Sequence, residues 1–188
     1  YEVLNRNKFN RDCVIISLGG GITTDMTGFV ASSYLRGVSL IQIPSTLLAQ
    51  VDAAIGGKTG INFQGVKNNI GAFYQPSLVL IDVNLLSSLG NNEISEGLAE
   101  IIKHSLIADK SLFFELEKKI NNGAIENDTD LIKIIYESSL IKSSIVSNDE
   151  KELGDRALLN FGHTYGHAFE SSMSLKGFSH GQAVGLGM

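Results

Sequence analysis

Three of the four histidines lie within residues 163–180, and imidazole is the side chain that most often binds metal ions near neutral pH. His163 and His167 are four residues apart, a spacing that places two side chains on one face of a helix. A catalytic zinc typically has three protein ligands and an open position for substrate. His180 and the lone carboxylate Glu100, in a weakly polar stretch, could complete such a set. Helix capping or core hydrogen bonds would explain the histidines as an alternative, because their spacing alone decides little.

Three consecutive glycines, Gly19, Gly20 and Gly21, form a second pattern that could do chemistry. They follow a β-branched run at 12–18 and precede a plausible helix at 24–34. Glycines at such a junction let the backbone approach a phosphate, and the N–H groups of the helix N-terminus stabilise its charge. The pattern predicts a pyrophosphate site. A tight turn without a ligand would explain it as well, and the G-x-G-x-x-G fingerprint is absent.

The segment Gly57-Lys58-Thr59 invites comparison with the Walker A phosphate loop. That loop needs a glycine five residues before its Gly-Lys pair, and the residue there is Asp52, so we reject the comparison. Lys58 and Lys67 could bind an anion or could be ordinary solvated lysines, and the composition does not choose between these alternatives.

The elements that must position these residues change character along the chain. Apolar runs at 12–18, 38–43 and 78–81 predict strands of a parallel sheet covered on both faces, with helical or irregular sequence between the last two. After residue 84 the apolar residues recur at helical spacing. The helical segments are expected at 93–108, 110–121, 128–149 and 156–172. We therefore predict an α/β Rossmann-like part at 1–83 and an all-α part at 84–188, with a packed junction between them.

Composition limits the classes of partner. With 43% hydrophobic and 19% charged residues the chain is typical of folded proteins, and its net charge of −5 argues against nucleic-acid binding. The single cysteine, Cys13, cannot form a disulfide within the chain, which fits a reducing compartment. No apolar stretch is long enough to span a bilayer, so we expect no membrane partner and a cytoplasmic location.

In order along the chain, six strings resemble the 3-dehydroquinate synthase family, one of the sugar phosphate cyclases. The strings are LGGGITTDMTGFVASSYLRG, IPSTLLAQVDAAIGGKTGIN, KNNIGAFYQP, EGLAEIIKHSLI, DEKELGDRALLNFGHTYGHAFE and SHGQAVGLGM. The resemblance runs from about residue 13 to the last residue. It implies the two-domain fold of that family, with an NAD-binding α/β domain and a helical domain for metal and substrate.

The resemblance also assigns site residues. It implies a metal site formed by Glu100, His163 and His180, with His167 contacting substrate and taking part in proton transfer. The other substrate-binding positions that it implies are Asp52, Lys103, Lys142, Arg156 and Asn160, together with Arg36, which reaches the phosphate from a neighbouring subunit. The NAD-binding positions that it implies are Gly20, Gly21, Asp25, Ser45, Thr46, Lys58, Lys67 and Asn68.

The activity implied by the resemblance is a carbon–oxygen lyase reaction of the shikimate pathway, which serves aromatic amino acid biosynthesis. The substrate would be 3-deoxy-D-arabino-heptulosonate 7-phosphate and the products 3-dehydroquinate and phosphate, with NAD and zinc or cobalt as cofactors. A homodimer is expected because of Arg36. A sister cyclase such as 2-deoxy-scyllo-inosose synthase, or an alcohol dehydrogenase of the glycerol dehydrogenase type, is an alternative.

The chain departs from the family pattern in two places. The family commonly has His-Gly-Glu where this chain has Gln182 after His180-Gly181, which could alter the support of His180. It commonly has Pro-Thr-Thr where this chain has Ser45, a change that keeps the hydroxyl. Family members run well past 300 residues, so we expect the protein to continue on both sides of this chain.

Overall fold

The computed structural model describes residues 1–121, 128–172 and 179–188, with the side chains of 128 and 170–172 left out. Its helices are α1 Glu2–Arg6, α2 Gly21–Ser33, α3 Asn91–Ala108, α4 Lys110–Asn121, α5 Asp128–Asn148, α6 His163–Ser172 and α7 His180–Gly187. Its strands are β1 Val14–Gly19, β2 Ser39–Pro44, β3 Lys58–Phe63, β4 Val66–Phe73 and β5 Leu78–Val79. Short 3₁₀ turns occupy Tyr34–Arg36, Val83–Ser88 and Asp155–Asn160, and a π-helical turn spans Ala49–Ala53.

Strands β1, β2 and β5 form the predicted parallel sheet, in the order β1-β2-β5. Helix α2 connects β1 to β2 and packs against both strands. Covering of both faces was a wrong prediction for the described residues, because Val14, Ile16 and Leu18 of β1 are each at least half exposed. Ser17, between them in sequence, is buried, as the alternation of a strand requires. The described part of the chain therefore covers β1 on one face.

The segment between β2 and β5 contains an antiparallel hairpin, β3 and β4, that the sequence interpretation missed. Its turn residues Gln64 and Gly65 both have positive φ, 49° and 80°, as a two-residue hairpin turn of the primed type requires. Nearly every residue of β4 is exposed. Without a buried face, a strand shows no alternation of apolar and polar residues, so the pattern that reveals strands is absent here.

The helical part was predicted closely, since the four expected segments correspond to α3, α4, α5 and α6, although α3 begins two residues earlier and the last segment also covers a 3₁₀ turn. The main core brings together buried apolar side chains from both parts of the chain. These are Leu47, Val51, Leu86, Ile101, Leu112, Leu116, Ile134 and Ile135. Because Leu47 and Val51 precede residue 84, the two parts share a core, as expected of a packed junction. The division at 83/84 stays a prediction.

Across the described ranges, no helix combines the length and the apolar character needed to cross a membrane.

Candidate active site

A cavity of about 720 Å³ lies where the sheet edge, the β3–β4 hairpin and the helical part meet. Most of the residues that the sequence marked as functional line this one cavity. They are Gly21, Asp25, Asp52, Lys58, Lys67, Asn68, Lys103, Lys142, Arg156, Asn160, His163 and His180. The fold therefore assembles, from both parts of the chain, groups that lie up to 159 positions apart in sequence.

Glu100, His163 and His180 converge as a candidate metal group. The Nε2 atoms of His163 and His180 each lie 3.6 Å from Oε1 of Glu100, and one ligand atom from each residue lies within 4.8 Å of the others. Glu100 is fully buried, and its Oε1 has no hydrogen bond of normal geometry among the described residues. Two imidazole nitrogens and one carboxylate are a donor set suited to catalytic zinc. The residues present therefore fit a divalent metal ion.

Close helix packing brings this group together. Glu100 lies on α3, His163 begins α6 and His180 begins α7. A Cβ atom at Gly181 would lie 2.4 Å from the Cα of Glu96, so only glycine allows α7 to approach α3 this closely. A larger residue at this position would push His180 away from Glu100.

Ionisation in the metal group favours metal binding. Burial by itself would raise the pKa of Glu100, but the nearby His180 and the positive charge of Lys103 hold it below its ordinary value. Burial lowers the pKa of His163, which favours the neutral imidazole that binds metals. A carboxylate and a neutral imidazole are thus present near neutral pH.

His167 lies outside the metal group. It is exposed on α6, and its ring centroid is 5.5 Å from that of His163. The group of ligand atoms within 4.8 Å does not include it. His167 is therefore not a fourth member of the metal group, and its part in proton transfer stays a prediction.

Three buried cations face the cavity next to this group. Lys103 is 2% exposed and forms an ion pair with Glu100 one helical turn earlier. Lys142, on α5, donates from Nζ to both the backbone oxygen and Oδ1 of Asp52, each at 2.5 Å. Burial alone would raise the pKa of Asp52, but the charges of Lys142 and Lys103 hold it well below its usual range. Burial lowers the pKa of Lys142, and Asp52 opposes this effect.

Arg156 is held by backbone acceptors and an aromatic ring. Its Nη2 donates to the backbone oxygen of Gly56 at 2.8 Å, its Nη1 donates to the backbone oxygen of Glu150, and its guanidinium lies 5.6 Å from the ring centroid of Phe73. Asp149 accepts the backbone N–H of Arg156 at 3.0 Å and fixes the turn that carries it. A guanidinium held this rigidly is suited to bind a carboxylate or phosphate.

Glu152 is a site residue that the sequence interpretation did not single out. It forms an ion pair with Lys58, and its Oε1 accepts a hydrogen bond from Nδ2 of Asn160 at 2.8 Å. Burial opposes its ionisation, but these two partners hold its pKa below the ordinary value. Lys58 therefore has an ion-pair partner, while its side chain stays half exposed. The only sequence signal for Glu152 was its position in the string that contains Arg156 and Asn160.

The fourth histidine, His104, was also missed. It is fully buried on α3, its Nδ1 lies 2.8 Å from Oγ of Ser138 on α5, and its Nε2 lies 3.9 Å from Oδ1 of Asp52. Burial lowers its pKa to about 4, so the imidazole is neutral. Asp52, Glu100 and His104 form a second group with ligand atoms within 4.8 Å. Its sequence signal was weak because a histidine directly after Lys103 suggests no motif.

The glycine turn forms as the sequence predicted. Gly20 precedes the first turn of α2, and a Cβ there would lie 3.0 Å from Cγ2 of Thr46. Ser45 donates its backbone N–H to the oxygen of Gly19 at 2.9 Å, which holds the residues after β2 beside this turn. Gly20, Ser45 and Thr46 thus flank the cavity beside Gly21, and the replacement at Ser45 leaves that backbone contact in place.

Asp25 on α2 lies between the glycine turn and the buried charges. Burial, with the charge of Asp52 as the second cause, raises the pKa of Asp25 to about 7. Lys67 and Asn68 reach the cavity from the exposed hairpin, and Asn68 adopts a positive φ of 49° while its N–H donates to Asn62 at 2.9 Å.

Arg36 is one of six predicted site residues that do not line the cavity; the others are Gly20, Ser45, Thr46, Glu100 and His167. Arg36 is exposed in the turn after α2, and both it and Leu35 have positive φ, 66° and 48°. Arg11 donates to the backbone oxygen of Leu35 at 3.1 Å and stabilises this unusual conformation. The turn directs Arg36 to the surface.

Gln182 has a structural role at the start of α7. Its Oε1 accepts the backbone N–H of Ser179 at 3.0 Å, which forms half of a capping box. A glutamate at this position could accept the same hydrogen bond. The substitution therefore keeps the cap that fixes the beginning of the helix at His180.

Comparisons with known proteins identify a family for this chain. The family model "3-dehydroquinate synthase N-terminal" matches residues 1–96, and "3-dehydroquinate synthase C-terminal" matches residues 97–188. This chain belongs to the 3-dehydroquinate synthase family. The resemblance of the six strings to the 3-dehydroquinate synthase family is thereby confirmed.

Among relatives, the 3-dehydroquinate synthase of Ruthia magnifica subsp. Calyptogena magnifica is 48% identical over 188 residues. The match covers all of this chain and 52% of that protein, so this chain spans about half the length of the relatives it matches. Among solved structures, 2-epi-5-epi-valiolone synthase from Streptomyces hygroscopicus, with NAD⁺ and Zn²⁺ bound, has a TM-score of 0.90 and 31% identity. A 2-deoxy-scyllo-inosose synthase in complex with carbaglucose-6-phosphate, NAD⁺ and Co²⁺ has a TM-score of 0.89 and 30% identity. In both comparisons the match covers all of this chain and 52% of the other protein's chain.

Proposed function

We propose that the protein acts as a 3-dehydroquinate synthase, converting 3-deoxy-D-arabino-heptulosonate 7-phosphate to 3-dehydroquinate and phosphate. The observation that carries this proposal is a cavity that brings together a glycine turn, a carboxylate–imidazole metal group and buried cations. The family membership and the identity of 48% to a 3-dehydroquinate synthase support the same reaction.

The two sides of the cavity are each assigned to one cofactor. We assign NAD to Gly20, Gly21, Asp25, Ser45, Thr46, Lys58, Lys67 and Asn68, and zinc or cobalt to Glu100, His163 and His180. NAD supplies a hydride acceptor that the reaction regenerates, and the metal supplies a Lewis acid for an oxygen of the substrate. A related cyclase binds NAD⁺ and Zn²⁺ and another binds NAD⁺ and Co²⁺, which supports this assignment.

The cations of this chain select the anionic substrate. Lys103, Lys142 and Arg156 are buried around the cavity, where water screens their charge little. Arg156 offers a planar fork for a carboxylate or phosphate, and the lysines act as point charges. We further propose that Arg36 reaches the substrate phosphate of a neighbouring subunit in a homodimer. Its exposed position outside its own cavity supports this role.

Other side chains orient the substrate and move protons. Asp52, held against Lys142, accepts hydrogen bonds from substrate hydroxyls, and Asn160, held by Glu152, contacts the substrate from the turn that also carries Arg156. His167 transfers a proton beside the metal group. Burial of the charged residues excludes water from the reactive intermediate and limits its orientations.

The parts of the chain divide this work. We propose that residues 1–83 belong to the NAD-binding domain and residues 84–188 to the metal- and substrate-binding domain. The position of the cavity between the glycine turn and α3, α5 and α6 supports this division. A cytoplasmic location stays a prediction.

The test measures phosphate release by the intact gene product from 3-deoxy-D-arabino-heptulosonate 7-phosphate, with and without NAD and after chelation. Release that needs both NAD and metal, without net NADH, is expected. Release from glucose 6-phosphate instead would assign the chain to the sister cyclases. Net NADH from a simple alcohol would assign it to the glycerol dehydrogenase type.

Two lysines of α5 provide matched variants for this assay. Lys142→Met removes a buried cation from the cavity, whereas Lys133→Met removes a half-exposed cation of the same helix that pairs with Glu115. We expect loss of phosphate release in the first variant and retention in the second. Equal activity of the two variants would contradict the assigned substrate site.

A further inference from the structure

The buried histidine His104 has no assigned role in the proposed site, although its position is unusual. Helix α3 places His104 one turn after Glu100 and directly after Lys103, so it lies behind the charged groups that face the cavity. Helix α5 places Ser138 one turn before Lys142 in the same way. The two helices therefore bring His104 and Ser138 together close to the two lysines, and both side chains are fully buried.

The contacts of the two ring nitrogens differ. Nδ1 lies 2.8 Å from Oγ of Ser138, a normal hydrogen-bond distance. Nε2 faces Oδ1 of Asp52 at 3.9 Å and has no hydrogen-bond partner among the described residues. The same Oδ1 accepts the hydrogen bond from Lys142 at 2.5 Å. The Nε2 atom thus points at the carboxylate that holds Lys142.

Only one tautomer of a neutral imidazole suits these neighbours. A lone pair on Nε2 would face the negative oxygen of Asp52, which is repulsive, whereas an N–H at Nε2 would face it favourably. Nδ1 must then accept, and the Ser138 hydroxyl can donate to it by rotating its hydrogen. Ser138 therefore selects the tautomer that presents a donor to Asp52.

We propose that His104, fixed by Ser138 as the Nε2–H tautomer, is a positioning residue that orients the carboxylate of Asp52 toward Lys142 and the substrate. For its kinetic consequences this inference rests on the proposed function, since Asp52 would bind substrate. A second metal ion held by Asp52, Glu100 and His104 is the competing explanation of the cluster. The ammonium groups of Lys103 and Lys142, which pair with Glu100 and Asp52, oppose a further cation there.

Two amide substitutions of His104 test the role of its Nε2–H donor. In His104→Gln the side-chain amide reaches the place of Nε2, whereas in His104→Asn it reaches only the place of Nδ1 beside Ser138. At 3.9 Å the Nε2–H group acts on the carboxylate as a favourable dipole and not as a full hydrogen bond, so its loss corresponds to about 3- to 10-fold in an equilibrium or rate constant. We expect His104→Asn to lower kcat/KM for phosphate release by about this factor, and His104→Gln to restore most of it at unchanged metal content.

Serine variants of α5 complete the comparison. Ser138→Ala removes the hydroxyl that selects the tautomer and is expected to lower kcat/KM. Ser139→Ala is the matched control, because the neighbouring hydroxyl has no hydrogen-bond partner in the described part of the chain. We expect it to match the wild type. Equal kcat/KM for the Gln and Asn variants, or a loss in Ser139→Ala equal to that in Ser138→Ala, would indicate a packing role and overturn the proposal.

The tautomer can be read without any enzyme assay. Long-range ¹H–¹⁵N spectra of ¹⁵N-histidine-labelled protein distinguish the Nδ1–H and Nε2–H forms, and the His104 signals are those lost in His104→Gln. We expect the Nε2–H form in the wild type. An Nδ1–H form would overturn the proposal even if the enzyme is active. Because the spectrum needs no activity, it tests the tautomer even in a protein that releases no phosphate. A second metal ion that His104→Asn removes would overturn it as well.

Discussion

Two walls of the cavity differ in how deeply their charged groups are buried. The cofactor wall, formed by Gly21, Lys58, Lys67 and Asn68, consists of a backbone turn and side chains on an exposed hairpin. The charged wall, formed by Lys103, Lys142, Arg156 and His163 with Glu100 behind them, is almost entirely buried. A hydrated group can be removed at little cost to folding, whereas a buried charge depends on its partner. Substitutions in the charged wall should therefore lower both stability and activity. Substitutions in the cofactor wall should lower activity with little effect on stability.

The strongest test of this comparison is Glu100→Gln. The change removes a metal ligand and leaves Lys103 as a buried cation without its ion-pair partner, which costs about 3 kcal/mol or more in such sites. We expect loss of bound metal, loss of phosphate release and a lower free energy of unfolding. Metal analysis and denaturant unfolding measure these effects.

A surface carboxylate is the control for Glu100. Glu115→Gln breaks the ion pair with Lys133, in which Lys133 is half exposed and Glu115 is partly exposed. We expect little change in stability and full metal content. Full metal content and wild-type stability in Glu100→Gln would contradict both the ligand assignment and the dependence of the charged wall on its partners.

The second test separates the two histidines of α6. His163→Ala should lose metal and activity together, because its Nε2 lies beside Glu100. His167→Ala should keep the metal and lose about 10²- to 10⁴-fold in kcat, the usual contribution of a general acid or base. Stoichiometric zinc in the His163 variant would refute its assignment as a ligand.

The third test concerns Asp25, which lies between the two walls. Its pKa is raised to about 7 by burial and by Asp52, from 3.8 in the unfolded chain. Between about pH 4 and about pH 7 the folded state therefore binds more protons at Asp25 than the unfolded state does. The contribution of Asp25 to the free energy of unfolding thus falls as the pH rises from about 4 to about 7. Asp25→Asn should accordingly stabilise the protein more at pH 8 than at pH 4. Unfolding of wild type and variant at both pH values measures the difference, and a pH-independent difference would refute the raised pKa.

The smallest effect is expected at Gln182. Gln182→Ala removes half of the capping box of α7 and should cost about 1 kcal/mol, with a small loss of metal affinity through His180. Gln182→Glu should behave as wild type because it can accept the same N–H. Thermal unfolding and a metal titration check both variants. A large loss of activity in the Glu variant would show that the amide has a role other than capping.

The sequence by itself determined the parallel strands, the longer helices and many of the residues that surround the cavity. Helical spacing after residue 84 located α3 to α6, and the triple glycine located the turn before α2. Both signals are local, because helix periodicity and turn chemistry are written in consecutive residues. Of the residues that the resemblance assigned, twelve line one cavity.

Tertiary structure alone decided the rest. The β3–β4 hairpin has no buried face, so no alternation in its sequence revealed it. Glu152 and His104 gained their partners from residues 94 and 34 positions away, Lys58 and Ser138. The ionisation of Asp25, Asp52 and Glu100 depends on burial and on charges brought together by packing. Desolvation and Coulomb interactions depend on distance in space, and the order of residues along the chain does not give that distance.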